Sequence, residues 1–168
     1  INIILDPVMV AKGGHRLLKI DAIDALKLFI KKCHPILTPN IPEAEILTGM
    51  NIKNINDMEK AGKIILKLGA SHVILKGGHL ETEEITDLLI DHKVSYKIKS
   101  VKTKTKHTHG TGCTMASALS AGIAKSFNIK DAFEMSHSYV NKAILSAPKF
   151  GKGSGPINHC HSINRFEY

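Results

Sequence analysis

The residues best suited to chemistry lie in one glycine-rich stretch, HGTGCT, at residues 109–114. Gly110 and Gly112 are separated by a single residue, and a run of small residues typical of a closely packed helix follows them. Glycine lets backbone N–H groups approach an anion closely, and the N-terminus of a helix adds partial positive charge. The stretch therefore predicts a cradle for phosphoryl oxygens that gain charge in a transition state. Taken alone, a tight turn into a packed helix accounts for the glycines equally well.

Cys113 begins the helix that follows this stretch. A thiol in the first turn of a helix can have its pKa lowered by the helix dipole. Such a thiol can accept the proton of a substrate hydroxyl during phosphoryl transfer. The alternative is a small buried side chain, which is the more common role of a lone cysteine.

Three more polar residues each follow a stretch with the composition of a strand: Asp6, Glu43 and Lys76. Ligands of open α/β sheets bind at the carboxyl ends of the strands, so these side chains are predicted to converge. A lysine there can neutralise phosphate charge, and carboxylates supply oxygen ligands of the kind that Mg²⁺ takes. Val8, just beyond Asp6, can form an apolar wall against a flat ring. Singly, each residue also fits a plainer role, such as a solvated lysine or an acid in a helix first turn.

The elements that must position these residues follow an α/β order. Apolar runs and alternation predict strands at residues 1–5, 36–38, 73–75, 86–90 and 94–101. Helical spacing predicts helices from Asp21 (its cap) to residue 33, over 42–47, from Asn56 (its cap) to 68, over 113–125 and over 130–147. The glycines at 151, 153 and 155 predict a flexible tail. Because the chain begins with Ile1 inside a strand that is predicted to be buried, we expect an upstream segment of the fold to be missing.

The amino-acid composition limits which classes of protein fit this sequence. The 168 residues are 43% hydrophobic and 23% charged, which fits one globular domain without a membrane span or a signal peptide. Three cysteines give no disulfide framework, so we expect a cytoplasmic protein. The net charge of +8 favours anionic ligands in general and specifies no partner.

Four stretches together resemble hydroxymethylpyrimidine/phosphomethylpyrimidine kinases of thiamine biosynthesis, a ribokinase-like family. They are LDPVMVAK at residues 5–12, LTPNIPEAE at 37–45, LKGGH at 75–79 and THGTGCT at 108–114. The end of the chain, from Ala147 to His159, is also similar to that family's C-terminus. The resemblance implies a mostly parallel sheet flanked by helices, with residues 1–168 forming the C-terminal portion of a single kinase domain.

The resemblance also implies a reaction and a site. The reaction is ATP-dependent phosphorylation of 4-amino-5-hydroxymethyl-2-methylpyrimidine and then of its monophosphate, with Mg²⁺, by a protein that forms a homodimer when intact. Cys113 stands where ribokinase relatives place an aspartate base and contacts the substrate, beside Val8. The anion hole and the ATP phosphates are assigned to Lys76, Gly110, Thr111 and Gly112, the Mg²⁺ region to Asp6 and Glu43, and the surroundings of adenine to Lys99–Lys106 and the last helix.

Two departures leave other enzymatic interpretations open. The glycine-rich opening of the family and most of its pyrimidine contacts are not in this chain, and Lys106-His107 replaces more typical residues before the loop. A pyridoxal-type vitamin kinase and a catalytically incomplete nucleotide-binding fragment therefore remain alternatives.

Two non-enzymatic interpretations are less favoured. Lysines at near-alternate positions from Lys97 to Lys106 could contact nucleic acid, but no aromatic platform interleaves them, so we predict a solvated strand edge instead. His159-Cys160-His161 could bind a metal ion, but no second ligand cluster has zinc-like spacing, and a disordered tail is the simpler prediction.

Overall fold

A computed structural model of the chain describes residues 1–10, 17–80 and 82–163. Within them, five strands and five helices follow the α/β order predicted from the sequence. The strands are β1 (Ile4–Leu5), β2 (Ile36–Leu37), β3 (His72–Leu75), β4 (Glu84–Ile90) and β5 (Ser95–Val101). The helices are α1 (Ile20–Cys33), α2 (Ile41–Thr48), α3 (Ile55–Leu68), α4 (Thr111–Ala124) and α5 (Ile129–Leu145).

The five strands form one mixed sheet in the order β1-β2-β3-β4-β5. Strands β1, β2 and β3 run parallel, whereas β4 pairs antiparallel with β3 and β5 antiparallel with β4. The parallel part brings the carboxyl ends of three strands to one edge of the sheet. Among the five described strands, two pairings are parallel and two are antiparallel, although parallel pairing was expected to dominate.

Strand β5 lies at the end of the sheet, and its alternate residues are exposed. Lys97 and Lys99, on the exposed face, pair with Glu59 at 2.6 Å and Glu84 at 2.9 Å. Charged side chains on an edge strand discourage pairing with another chain. These contacts agree with the predicted solvated edge.

The chain divides into two compact units, Ile1–Lys102 and Thr103–Tyr168. The first unit holds the sheet and α1 to α3, and its core is made of fully buried apolar side chains, among them Ile30, Leu37, Met58, Ile65 and Leu75. The first strand is shorter and less buried than expected, because only Ile4–Leu5 pair and both are half-buried. Whether the chain forms part of a single domain stays a prediction.

Two helix starts differ from the sequence prediction. Helix α1 begins one residue before Asp21, which therefore lies in its first turn, and its N-cap Lys19 makes no side-chain capping bond. Helix α3 is capped by Asn54, not Asn56, and the Asn54 side chain accepts a hydrogen bond from the amide of Asp57. An N-cap needs extended backbone, which Asn54 adopts, and several capping residue types within a few positions made the start ambiguous.

The second unit is built on α4 and α5. Leu119, Phe133 and Ala143 are fully buried there, and a Cβ on Gly122 would stand 3.0 Å from the Cβ of Ala132, so a small residue permits close packing. Gly155 and Ile157 are buried, which corrects the expectation of a flexible tail at that point. Across the described part of both units, no helix combines the length and apolarity needed to cross a membrane.

Candidate functional site

The ends of the three parallel strands bring together a small charged cluster. Asp6 follows β1, Thr38 follows β2 and Lys76 follows β3. Asp6 Oδ1 accepts hydrogen bonds from Thr38 Oγ1 and from Lys76 Nζ, both at 3.0 Å. The side chains of Lys76 and Asp6 are 14% and 15% exposed, so this ion pair is largely withdrawn from water. The rule that strand ends converge thus held for Asp6 and Lys76.

Glu43 joins the cluster from the first turn of α2. The Asn40 side chain accepts from the amide of Glu43 at 2.9 Å, and Glu43 Oε2 accepts from the amide of Asn40 at 2.8 Å. This reciprocal capping box, with Pro42 in the first turn, fixes where α2 begins. Asn40 also forms a parallel bridge with Lys76, which ties the start of the helix to the end of β3.

Glu43 is only 2% exposed, and the protonation of its carboxyl group is influenced by the rest of the cluster. Burial raises its pKa above the ordinary value, and the neighbouring Asp6 charge acts in the same direction. The amide of Asn40 and the ammonium of Lys76 oppose that rise. An additional cation at this site would stabilise both carboxylates in their charged form.

The donor set here suits Mg²⁺ in one particular way. No group of three or more histidine, cysteine or acidic side chains is placed to hold a metal ion within the described ranges. Mg²⁺ in kinases is held by one or two carboxylates together with substrate phosphates and water, not by an all-protein cage. Asp6 and Glu43 are therefore the carboxylates that could hold such an ion together with a polyphosphate.

A buried carboxylate on β4, which was not predicted, is hydrogen-bonded to the residue that follows Lys76. Asp87 is 6% exposed and accepts from the amide of Gly77 at 2.8 Å. A Cβ on Gly77 would fall 2.0 Å from the carbonyl oxygen of Thr86, so this position requires glycine. Burial of the His79 imidazole, followed by the charges of Lys76 and Lys102, lowers the pKa of His79.

The glycine-rich loop opens α4 in the second unit. Gly110 is the N-cap with φ 90°, a left-handed conformation that favours glycine, and no side chain caps the helix. Thr111 and Gly112 were predicted as part of the turn but are the first two helical residues. Among the described residues, no protein group accepts from the amides of Gly112 and Cys113, whereas the amide of Thr114 donates to Gly110 at 2.9 Å. Amides of this kind at a helix N-terminus suit an anion.

Cys113 is exposed in the first turn of α4, which is at odds with the alternative of a small buried side chain. Its side chain borders an open groove of about 650 Å³ along α4 and α5. The groove is lined largely by apolar and small residues, with Tyr139, Lys125 and His159 as its larger polar members. A thiol in this setting is accessible to a substrate.

Val8 is 44% exposed, while the next residue, Met9, is buried in the core. The exposed side chain is free to contact a ring, as predicted, and its role stays a prediction. The same holds for the proposed arrangement of Asp6, Glu43 and Lys76 with the loop on one common rim, because the loop lies in the other unit. The roles assigned to Lys99–Lys106 and α5 around adenine also stay predictions.

Comparison with known proteins relates these features to one family. A family model described as phosphomethylpyrimidine kinase matches residues 1–158. The chain is 48% identical over 160 residues to hydroxymethylpyrimidine/phosphomethylpyrimidine kinase of Bacillus subtilis, covering 94% of this chain and 59% of that protein. It is 41% identical to the thiamine biosynthesis bifunctional protein ThiED of Geobacter sulfurreducens, covering 94% of this chain and 32% of that protein. The chain thus spans less than two thirds of the length of these relatives.

Solved structures show the same fold. The pyridoxal kinase from Staphylococcus aureus in complex with ADP superimposes with a TM-score of 0.88 at 33% identity, over 99% of this chain and 60% of that one. A phosphomethylpyrimidine kinase from Clostridium difficile superimposes with a TM-score of 0.70 at 38% identity, over 85% of this chain and 57% of that one. The predicted ribokinase-like α/β fold is confirmed.

Proposed function

This chain belongs to the phosphomethylpyrimidine kinase family, and from that premise we propose that it supplies the nucleotide-binding and catalytic portion of an ATP-dependent pyrimidine kinase. The acceptors are 4-amino-5-hydroxymethyl-2-methylpyrimidine and then its monophosphate, as in the biosynthesis of thiamine diphosphate. The proposal extends to a cytoplasmic enzyme that is a homodimer when intact and has no nucleic-acid partner.

One observation carries the proposal, namely the uncapped N-terminus of α4. Its glycine N-cap turns the chain so that the amides of Gly112 and Cys113 are left for a ligand. Hydrogen-bond donors that are already oriented toward the atoms where negative charge develops are usually the largest contribution of a protein to phosphoryl transfer. The loop formed by Gly110, Thr111 and Gly112 would therefore bind the phosphoryl group during its transfer, with the amides of Gly112 and Cys113 as donors.

The charged cluster at the sheet edge supports the nucleotide part of the proposal. Lys76 carries an ammonium group that can pair with phosphate oxygens as it does with Asp6. Asp6 and Glu43 would hold Mg²⁺, which, when bound, neutralises charge on the polyphosphate and orients it. Thr38 and Asn40 keep the two carboxylates in place.

Cys113 is proposed as the base. The hydroxyl oxygen of the pyrimidine's hydroxymethyl group attacks the γ-phosphorus of ATP, the bond to the β-bridging oxygen breaks, and ADP leaves. The hydroxyl proton passes to the thiolate of Cys113, which is exposed at the head of the helix that holds the anion. Val8, exposed beyond β1, would pack against the pyrimidine ring.

A direct test is ATP binding by this chain together with phosphate transfer by the complete gene product. We expect titration calorimetry to detect ATP binding that requires Mg²⁺, and we expect hydroxymethylpyrimidine to be converted to its monophosphate and then its diphosphate. Absence of ATP binding by a folded chain would contradict the proposal. ATP binding by this chain without phosphate transfer, when the complete protein does transfer phosphate, would favour the alternative of an incomplete fragment.

Pyridoxal is the second candidate acceptor. The observation that favours it is the close superposition on the Staphylococcus aureus pyridoxal kinase bound to AMP-PCP and pyridoxal, with a TM-score of 0.87 at 32% identity. The higher identity to the Bacillus subtilis pyrimidine kinase ranks the pyrimidine first. Comparing kcat/KM for the two acceptors in the same preparation decides between them.

A further inference from the structure

The C-terminal segment folds back onto the glycine-rich loop. The amide of His109 donates to the carbonyl of Gly155 at 3.0 Å, and the amide of Ile157 donates to the carbonyl of His109 at 3.2 Å. His109 and Pro156 form a parallel bridge between these two bonds. The residue just before Gly110 is therefore held on both sides of its peptide by the end of the chain.

The backbone around His159 is in turn fixed to α5. The amide of Asn158 donates to the carbonyl of Ala143 at 2.9 Å, and the hydroxyl of Tyr139 donates to the carbonyl of His159 at 2.8 Å. The ring of His161 packs on the ring of Tyr139, with centroids 4.4 Å apart. These contacts give residues 159–161 a defined position on α5. A structural role therefore fits them better than the metal-binding or the disordered-tail interpretation.

From this anchored position the His159 ring reaches the first turn of α4. Its Nε2 lies 3.0 Å from Thr114 Oγ1, at hydrogen-bond distance. Thr114 is 8% exposed, and its amide closes the first helical bond onto Gly110. The ring also lies beside the N-cap, since its Cε1 is 3.9 Å from the place where a Cβ on Gly110 would stand.

We propose that His159 is a positioning residue for the glycine-rich loop, acting through Thr114 to hold the amides of Gly112 and Cys113 in the orientation that receives a phosphoryl group. The proposal rests on the proposed function for its effect on ATP, but not for its effect on the loop itself. A glycine N-cap leaves the start of α4 with little intrinsic stiffness. The His159–Thr114 bond connects the start of α4 to α5, a 17-residue helix with one buried face, because the backbone of His159 is bonded to Tyr139.

The test uses substitutions that separate the hydrogen bond from general stability. His159→Ala removes the bond and the ring, Thr114→Val removes the hydroxyl at nearly constant shape, and a double variant combines them. His159→Gln keeps a polar group that can reach Thr114. Ser162→Ala, at an exposed position of the same segment, serves as the matched control.

Two measurements are made on each variant: the dissociation constant for Mg-ATP, and hydrogen exchange of α4's first two turns in the unliganded protein. We expect His159→Ala and Thr114→Val each to weaken ATP binding about three- to tenfold. The double variant should be no weaker than the worse single variant, because both remove one interaction. His159→Gln should recover most of the affinity, and exchange should accelerate at the start of α4 while α5 is unchanged.

Additive losses, no recovery with His159→Gln, or equal acceleration in both helices would overturn the positioning role. If the wild-type chain does not bind ATP, the proposed function fails, and the exchange data alone decide the positioning role. If ATP binds and every variant behaves like Ser162→Ala in both measurements, the proposed function stands and the positioning role fails.

Discussion

The sheet edge of the first unit and the helix start of the second unit differ in whether their charged and polar groups are paired within the protein. At the sheet edge, Asp6 is matched by Lys76, and Glu43 is matched by the amide of Asn40, so the protein compensates its own charges. At the start of α4, the amides of Gly112 and Cys113 have no protein acceptor among the described residues, and no side chain caps the helix.

This difference separates two kinds of consequence. Groups that are compensated within the protein contribute to folding, so changing one of them leaves its partner unsatisfied. Groups left for a ligand contribute little to folding and act mainly when the ligand is present. Substitutions at the sheet edge should therefore change both stability and binding, whereas substitutions at the helix start should change binding or turnover with a smaller effect on stability.

Cys113→Ala should give the largest effect, confined to turnover. Loss of a general base lowers kcat by roughly 10²- to 10⁴-fold, while the exposed thiol has no packing role that ATP binding would need. Steady-state kinetics of the complete protein and calorimetric ATP titration measure the two quantities. A kcat within a few-fold of the wild type would exclude this thiol as the required base.

Lys76→Met should lower stability and ATP affinity together. Asp6 then loses the cation that compensates it, at a cost of about 3–5 kcal/mol for a buried pair, and ATP affinity falls about 10- to 100-fold. Urea denaturation and calorimetry report the two effects.

The matched control for that prediction is the double variant Asp6→Asn with Lys76→Met. It removes both charges, so stability should return to within about 1 kcal/mol of the wild type. ATP affinity should stay low. Recovery of both quantities, or of neither, would contradict the distinction between compensated and ligand-directed groups.

Gly110→Ala tests the helix start against a position with the same backbone strain. Gly110 has φ 90° and Gly49 has φ 71°, and a Cβ at either position meets nothing closer than ordinary contact. Each alanine substitution should cost about 1–2 kcal/mol through backbone strain alone. Only Gly110→Ala should also weaken ATP binding. Equal ATP affinities for the two variants would remove Gly110 from the anion site.

Glu43→Gln should give the smallest effect, a change in how stability depends on pH. The folded pKa of Glu43 is raised by burial, so its contribution is favourable below the ordinary value of 4.5 and is lost as pH rises through the folded value. Glutamine can keep the capping box without titrating. The variant minus wild-type difference in unfolding free energy should therefore become more favourable as pH rises through that window.

The difference between the variant and the wild type is measured because other groups also make stability depend on pH. His72 and His79 have pKa values lowered chiefly by burial, so their contributions to stability grow as pH rises from their folded values toward the ordinary value of 6.5. These contributions cancel in the difference. A difference that is flat with pH, or that has the opposite sign, would show that burial does not control the Glu43 carboxyl group.

Patterns in the sequence predicted the residues of the charged cluster but not all of the residues that are hydrogen-bonded to it. Asp6 and Lys76 were predictable because each directly follows a parallel strand, and the carboxyl ends of parallel strands lie at the same edge of the sheet. Glu43 was assigned to the metal region, and an acid in a helix first turn was the plainer alternative. The structure combines the capping bonds of Glu43 with Asn40 and the influence of the Asp6 charge on its carboxyl group. Asp87 and Thr38 were missed because their partners, Gly77 and Asp6, are set by strand pairing.

His159 was missed for a different reason. Its partner Thr114 is 45 residues away, and its position depends on how the end of the chain packs on α5. Glycines at 151, 153 and 155 suggested flexibility, but a Cβ on Gly155 would fall 2.2 Å from His107 Nδ1, so that glycine marks a close approach. Spacing along a sequence carries no signal for such long-range contacts.

The pairing of residues 155–157 with His109 has a consequence for synthesis of the protein on the ribosome. The loop and α4 emerge well before the segment that braces them, so a nascent chain ending before residue 155 contains the phosphate-binding sequence without its support. Competence to hold a nucleotide would thus arrive only after residues 155–157 have left the exit tunnel, when both helices have already been made.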